Sequence, residues 1–157
     1  EEMIIEAVGE ARGERAIDLY AGVGLFTLPL ARLYSRVIGV ESDEKAVRFA
    51  EENLSANGIH NVEFHRAQVE RWLKNFATAE RIGLILLDPP RGGAARAIEE
   101  IARLGPERIA YVSCDPATLA RDLRKLLDAG YELKRVVGFD LFPQTYHIET
   151  VAQLARG

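Results

Sequence analysis

The only cysteine in this 157-residue chain sits where a thiol can react. In Val112-Ser113-Cys114-Asp115-Pro116 it ends an apolar strand and directly precedes a helix start. Asp115 is a good N-cap and Pro116 a good first helical residue. The partial positive charge of a helix N-terminus favours the thiolate, which is the nucleophilic form. A lone cysteine is more often a small buried hydrophobe. Asp88 and Asp115 would also oppose ionisation, so the sequence leaves the sign of the net shift open. Further along comes Phe142-Pro143-Gln144-Thr145-Tyr146-His147-Ile148-Glu149. Here His147 and Glu149 alternate onto one face of a strand. Read alone, they are a surface-facing pair.

Two other segments carry possible chemistry. Asp18-Leu19-Tyr20-Ala21-Gly22-Val23-Gly24 reads as a strand, a glycine turn and a helix start. Gly22 and Gly24 let the backbone approach a cofactor closely. Thr27 stands where a dinucleotide fingerprint has its third glycine, which favours S-adenosylmethionine over a dinucleotide. Glu41 ends the following strand, where an acid can accept both ribose hydroxyls. Leu87-Asp88-Pro89-Pro90-Arg91-Gly92-Gly93 ends a buried strand in a stiff turn. Asp88 at such a strand tip is a candidate for ligand binding, with capping of the next helix as the plain alternative. Amino-group methyltransferases often place an aromatic after Pro-Pro; Arg91 in that position argues against their chemistry.

The elements that must position these residues alternate almost without interruption. Strands are predicted at Arg15 to Tyr20, Arg36 to Glu41, Asn61 to His65, Ile82 to Leu87 and Arg108 to Ser113. Helices are predicted at Leu25 to Leu33, Asp43 to Ala56, Gln68 to Phe76, Ala94 to Leu104 and Pro116 to Ala129. Two extended segments, Tyr131 to Leu141 and Tyr146 to Leu154, meet at Phe142 to Thr145 as an antiparallel hairpin. Repeated strand–helix units imply an α/β fold with a Rossmann-like, mostly parallel, doubly wound sheet. Ligands in such sheets sit outside the carboxyl ends of the strands, and all four motifs fall there. His60 and His65 lack metal-ligand spacing, and Trp72 and Phe76 are spaced as a helix's core face. Arg121, Arg124 and Lys125 read as a solvated helix face.

Composition bounds the answer. One domain is the default at this length. At 48% hydrophobic and 28% charged residues the chain can bury a core and stay soluble. No apolar run is long enough to span a membrane, and Glu1-Glu2 stand where a secretory leader is basic. One cysteine excludes an internal disulfide and a cysteine-built metal site, and no metal is expected. A reducing, cytoplasmic setting and a monomer are expected. The net charge of −4 is not that of a self-sufficient RNA binder. The chain opens inside an apolar-periodic helix, with Met3, Ile4, Ala7 and Val8 on one side, as a domain excised from a longer protein does.

With these residues in place, the chain resembles the uracil-5-methyltransferases of transfer and ribosomal RNA. The resemblance rests on Asp18 to Ala31, Val40-Glu41, Leu87 to Gly93, Tyr111 to Asp122 and Phe139 to Glu149, in that order. The Ser-Cys-x-Pro-x-Thr-Leu and Phe-Pro-Gln-Thr-x-His-x-Glu patterns are the specific ones. The resemblance implies a class I S-adenosylmethionine-dependent methyltransferase fold, with Cys114 as nucleophile and Glu149 as base. It implies donor contacts from Tyr20, Glu41, Asp88 and the position of Leu25, where the family often carries Asn. Asp115 replaces the more frequent Asn. Family members carry an upstream RNA-binding module, a central insertion and a Phe-x-Gln donor segment that are not in this sequence, so a catalytic domain of a longer enzyme is expected. The implied reaction adds Cys114 to C6 of uracil, methylates C5, and lets Glu149 remove the C5 proton.

Two rival functions use the same sheet. One is a cytosine-5 or small-molecule methyltransferase. The other is a non-catalytic module that keeps the donor pocket.

Overall fold

The structure is a computed structural model and describes residues 1–141 and 148–157. Among the described residues, seven strands form one sheet in the order β3-β2-β1-β4-β5-β7-β6. The strands are β1 (Gly13–Leu19), β2 (Tyr34–Glu41), β3 (Val62–Arg66), β4 (Leu84–Leu87), β5 (Arg108–Ser113), β6 (Tyr131–Phe139) and β7 (Glu149–Arg156). The first five run parallel, and β7 runs antiparallel to both β5 and β6. The mostly parallel sheet with a C-terminal antiparallel pair is therefore present as expected. The turn expected at Phe142 to Thr145 lies outside the described residues, as does His147.

The strands read as apolar runs because helices cover both faces. All four side chains of β4 are buried. Leu84 and Leu86 join Ala16, Phe26, Leu30, Val37 and Val112 on one side. Ile85 and Leu87 join Ile17, Leu19, Ile101, Tyr111 and Leu126 on the other. The period of two along each strand sends alternate side chains to opposite cores. Helices α1 (Glu2–Val8) and α2 (Thr27–Leu33) contribute to the first core. Helices α4 (Val69–Asn75), α5 (Ile98–Leu104) and α6 (Pro116–Asp128) contribute to the second. Helix α3 (Glu44–Ala56) is capped by Asp43, whose side chain accepts from the Ala46 N–H.

Two helix starts differ from the sequence reading. Helix α2 begins at Thr27 rather than Leu25, because residues 20–26 form the glycine turn. Helix α5 begins at Ile98 rather than Ala94. The Ala94 N–H is used elsewhere, as described below, and residues 88–97 form an irregular loop. No helix of the described residues is long and apolar enough to cross a membrane.

This topology has a switch point. The strand order reverses between β1 and β4, so the connections leave their carboxyl ends in opposite directions. A crevice opens at such a point and is where ligands bind in open α/β sheets. Tyr20 to Gly24 leave β1 there, Asp88 leaves β4, and Glu41 ends the neighbouring β2.

Candidate active site

Asp18 lies in β1 with no exposure at all. The Thr27 hydroxyl donates to its Oδ2 at 2.5 Å, tying the start of α2 to the strand. Its Oδ1 has no hydrogen-bond partner among the described residues. Burial pushes its pKa up to about 7, against the hydrogen bond from Thr27 and with help from Asp88 and Glu41. Thr27, in place of a third glycine, is thus the buried partner of this carboxyl. Sequence reading passed over Asp18; an acid inside an otherwise apolar strand was the available signal.

Tyr20 follows with φ of +60°, a left-handed conformation that is costly for a residue with a bulky side chain. Its hydroxyl donates to Glu70 of α4 at 3.0 Å. Gly22 has φ of +53°, and a Cβ built there meets nothing within 4 Å. Glycine serves the turn's conformation, and its outer side is open. The Gly22 N–H donates to Glu41 Oε2 at 3.0 Å. The other oxygen of Glu41 accepts from the N–H groups of Ser42 and Asp43 at 2.6 and 2.8 Å. Backbone donors therefore hold Glu41 against the glycine turn. Leu25, at 51% exposure, stands out from the same turn.

Asp88 does not cap α5, whose N-cap position is Ala97. Its N–H donates to the Leu19 carbonyl at 3.3 Å, which carries the β1–β4 pairing into the crevice. Burial first, and then the charge of Glu149, raise its pKa to about 6. The crevice therefore gathers carboxylates that feel one another: Asp18, Glu41, Asp88 and Glu149.

Cys114 is half-buried, one residue past β5. Ser113 Oγ brackets it, donating to the Asp115 carbonyl at 3.0 Å and accepting from the Asp115 N–H at 3.1 Å. Asp115 caps α6 as expected, accepting from the N–H groups of Ala117 and Thr118, each at 2.9 Å. These bonds hold its carboxyl below the usual range. Across the sheet, Ser113 pairs with Thr150. Cys114 and Glu149 each lie one residue beyond this pair, at the same end of the sheet.

Other expected residues fall as follows. All three of the basic trio are exposed, as expected of a solvated face, and Arg124 pairs with Asp128. Arg121 donates to the Gly92 carbonyl at 2.9 Å, and Lys125 to the Ala95 carbonyl at 3.3 Å. Both reach the loop that follows Asp88. Trp72 and Phe76 stack at 4.3 Å and pack on the core, as their spacing implied. His65 sits beside Trp72 and Glu63, away from Cys114 in the fold.

A seven-stranded sheet of this order, with an acidic crevice at its switch point, is the class I methyltransferase fold. A tRNA (uracil-54, C5)-methyltransferase of Pyrococcus abyssi, solved in complex with S-adenosyl-L-homocysteine, superposes with a TM-score of 0.84 at 33% identity, covering 98% of this chain and 37% of that one. The model of the tRNA (uracil-5-)-methyltransferase family matches residues 2–157, and the chain belongs to that family. It is 48% identical over 145 residues to an uncharacterised RNA methyltransferase of Thermotoga maritima. It is 46% identical over 145 residues to the 23S rRNA (uracil(1939)-C(5))-methyltransferase RlmD of Pseudomonas aeruginosa. Each alignment covers 92% of this chain, but only 33% and 32% of those relatives, so the chain spans about a third of their length.

Proposed function

We propose that this chain is the catalytic domain of an enzyme that methylates C5 of a uridine in ribosomal or transfer RNA. The observation that carries the reading is the β5–β7 register, whose last pair, Ser113 and Thr150, puts Cys114 and Glu149 at the same end of the sheet as Asp88.

The crevice fits S-adenosylmethionine. That molecule carries positive charge at its sulfur and its amino group, and four carboxylates with mutually felt charges suit it. The buried Oδ1 of Asp18, without a partner among the described residues, and the open side of Gly22 point the same way. Glu41, preset by backbone donors, takes the ribose hydroxyls; Tyr20, Gly22, Gly24, Leu25 and Asp88 complete the binding surface. When bound, the cofactor supplies an electrophilic methyl group.

The chain's own residues do the rest. The Cys114 thiolate adds to C6 of uracil, and the electron pair of the C5–C6 double bond moves onto C5 and the adjoining carbonyl. C5 becomes nucleophilic enough to be alkylated. Glu149 then accepts the C5 proton, the double bond re-forms, and the thiolate leaves. The base must stand outside a helical stack, so single-stranded or flipped RNA is the substrate form. With a net charge of −4, the chain leaves most of the RNA grip to other parts of the protein. A reducing cytoplasm keeps the thiol available, and the enzyme acts as a monomer without a metal in this domain.

The test offers the full-length protein RNA transcripts with uridine or cytidine at the reactive position and identifies the modified nucleoside by mass spectrometry. 5-Methyluridine is expected. 5-Methylcytidine would replace the reading with a cytosine-5 enzyme. Cofactor binding without transfer to any RNA would leave a binding module.

A further inference from the structure

Helix α6 starts beside Cys114 and also holds the loop that begins at Asp88. The loop has no regular structure of its own between β4 and α5. One face of α6 supplies its partners. Thr118 Oγ1 donates to the Arg91 carbonyl at 3.2 Å, Arg121 to that of Gly92 at 2.9 Å, and Lys125 to that of Ala95 at 3.3 Å. Among them, Asp122 Oδ2 accepts from the Ala94 N–H at 2.7 Å. These four residues are spaced i, i+3, i+4 and i+7, which is one stripe of a helix. They engage the loop almost residue by residue.

Asp122 is the centre of the stripe. It has no exposure, yet every donor around it is aimed. Its Oδ2 also accepts from the Tyr111 hydroxyl of β5 at 2.7 Å, and its Oδ1 from Arg121 Nε at 2.9 Å. A buried carboxylate is tolerated only with such partners, and the satisfied network then admits few alternative geometries. The loop is shaped to it. Gly93 has φ of +75°, and a Cβ there would lie 2.6 Å from both Asp122 Oδ2 and Arg121 Nη2. No step of the proposed reaction uses Asp122 or Tyr111.

We infer that Asp122 is a positioning residue: through α6 it fixes the loop of Asp88 relative to Cys114, and so aligns the cofactor side of the site with the nucleophile. The inference rests on the methyl transfer proposed above. Misplacement by about 1 Å costs up to roughly a hundredfold in rate, so a loosened loop lowers turnover without disabling the thiol.

The experiment compares wild-type full-length protein with Asp122→Asn, Tyr111→Phe and Arg121→Gln. It measures kcat and KM on a uridine-containing transcript, alkylation of Cys114 by iodoacetamide followed on its own peptide, and the urea midpoint. Asp122→Asn should lower kcat about tenfold or more at saturating cofactor and RNA, with Cys114 alkylation within about twofold of wild type. Arg121→Gln changes a half-exposed side chain and should keep the urea midpoint while lowering kcat about threefold. If Asp122→Asn does not fold, Arg121→Gln and Tyr111→Phe decide. Wild-type kcat in the folded variants overturns the inference and leaves the proposed function standing. A wild-type protein that transfers no methyl to uridine overturns both.

Discussion

Ser113 and Thr150 pair across the rim of the sheet and bring Cys114 and Glu149, one residue beyond each, to the same end, although no local element joins them. Ser113 and Thr150 are the last register pair of β5 and β7, and both chains continue outwards from it. The antiparallel sense of β7 brings its first residue to the end where the parallel strands finish. A thiol beside a helix N-terminus and a carboxylate thereby lie at one end of the same strand pair.

This pairing predicts two different failures in the full-length protein. Cys114→Ala should abolish methylation and leave cofactor affinity intact, because it removes the activating group alone. Glu149→Gln should still allow thiol addition and methylation but leave no base for the C5 proton. Its product should persist as a covalent protein–RNA species, seen as a retarded band on a denaturing gel. Normal turnover by Glu149→Gln, or a covalent band from Cys114→Ala, would sink the mechanism.

Glu41 should dominate cofactor affinity. Its loss removes charge-assisted bonds to the ribose worth on the order of 2 kcal/mol, about thirtyfold in Kd. It also frees the Gly22 N–H that Glu41 holds. Calorimetry with S-adenosylhomocysteine on this chain and on Glu41→Ala should show at least that weakening; equal affinities would remove the ribose from this place.

Asp88 makes cofactor binding depend on pH. Its pKa is raised to about 6, so it is neutral below that value and anionic above it. A cationic ligand prefers the anion, and affinity for S-adenosylmethionine should therefore rise as pH goes from about 5 to about 7. Asp88→Asn should bind more weakly at neutral pH and show a flatter profile. A wild-type profile equally flat over that range would contradict the prediction.

Asp18 makes stability depend on pH in the opposite sense. Its folded pKa of about 7 lies above the ordinary 3.8, so the folded chain binds the proton more tightly than the unfolded chain. Stability from this group is fully present below about pH 4 and is lost as pH rises through about 7, by roughly 4 kcal/mol at most. Asp18→Asn keeps an acceptor for Thr27 and carries no charge. Urea titrations should find it close to wild type near pH 4 and more stable near pH 8. A variant with the wild-type slope would show that Asp18 is not the group responsible.

Much of the fold follows from local pattern. The apolar runs of β4 and β5 declare strands covered on both faces. Asp115-Pro116 declares the start of α6 because cap chemistry depends on adjacent residues only. The glycine turn, Glu41, Asp88 and Cys114 were legible as ends of strands, and the rule that ligands sit at carboxyl ends put them on one rim. Other features depend on residues distant in sequence. Ala94 to Ala97 have helical composition, yet the Ala94 N–H is drawn to Asp122 and Tyr111, and α5 starts later. Arg121 and Lys125 are the solvated residues their pattern suggests, but their hydrogen bonds to the Asp88 loop are visible only in the fold. Asp18 is an ordinary acid in the sequence; the sheet strips it of water and surrounds it with Asp88 and Glu41. Periodicity and caps act over a few residues and are written in the chain. Register, burial and the company of charges arise only when the strands assemble, because they depend on which distant segments exclude water from one another.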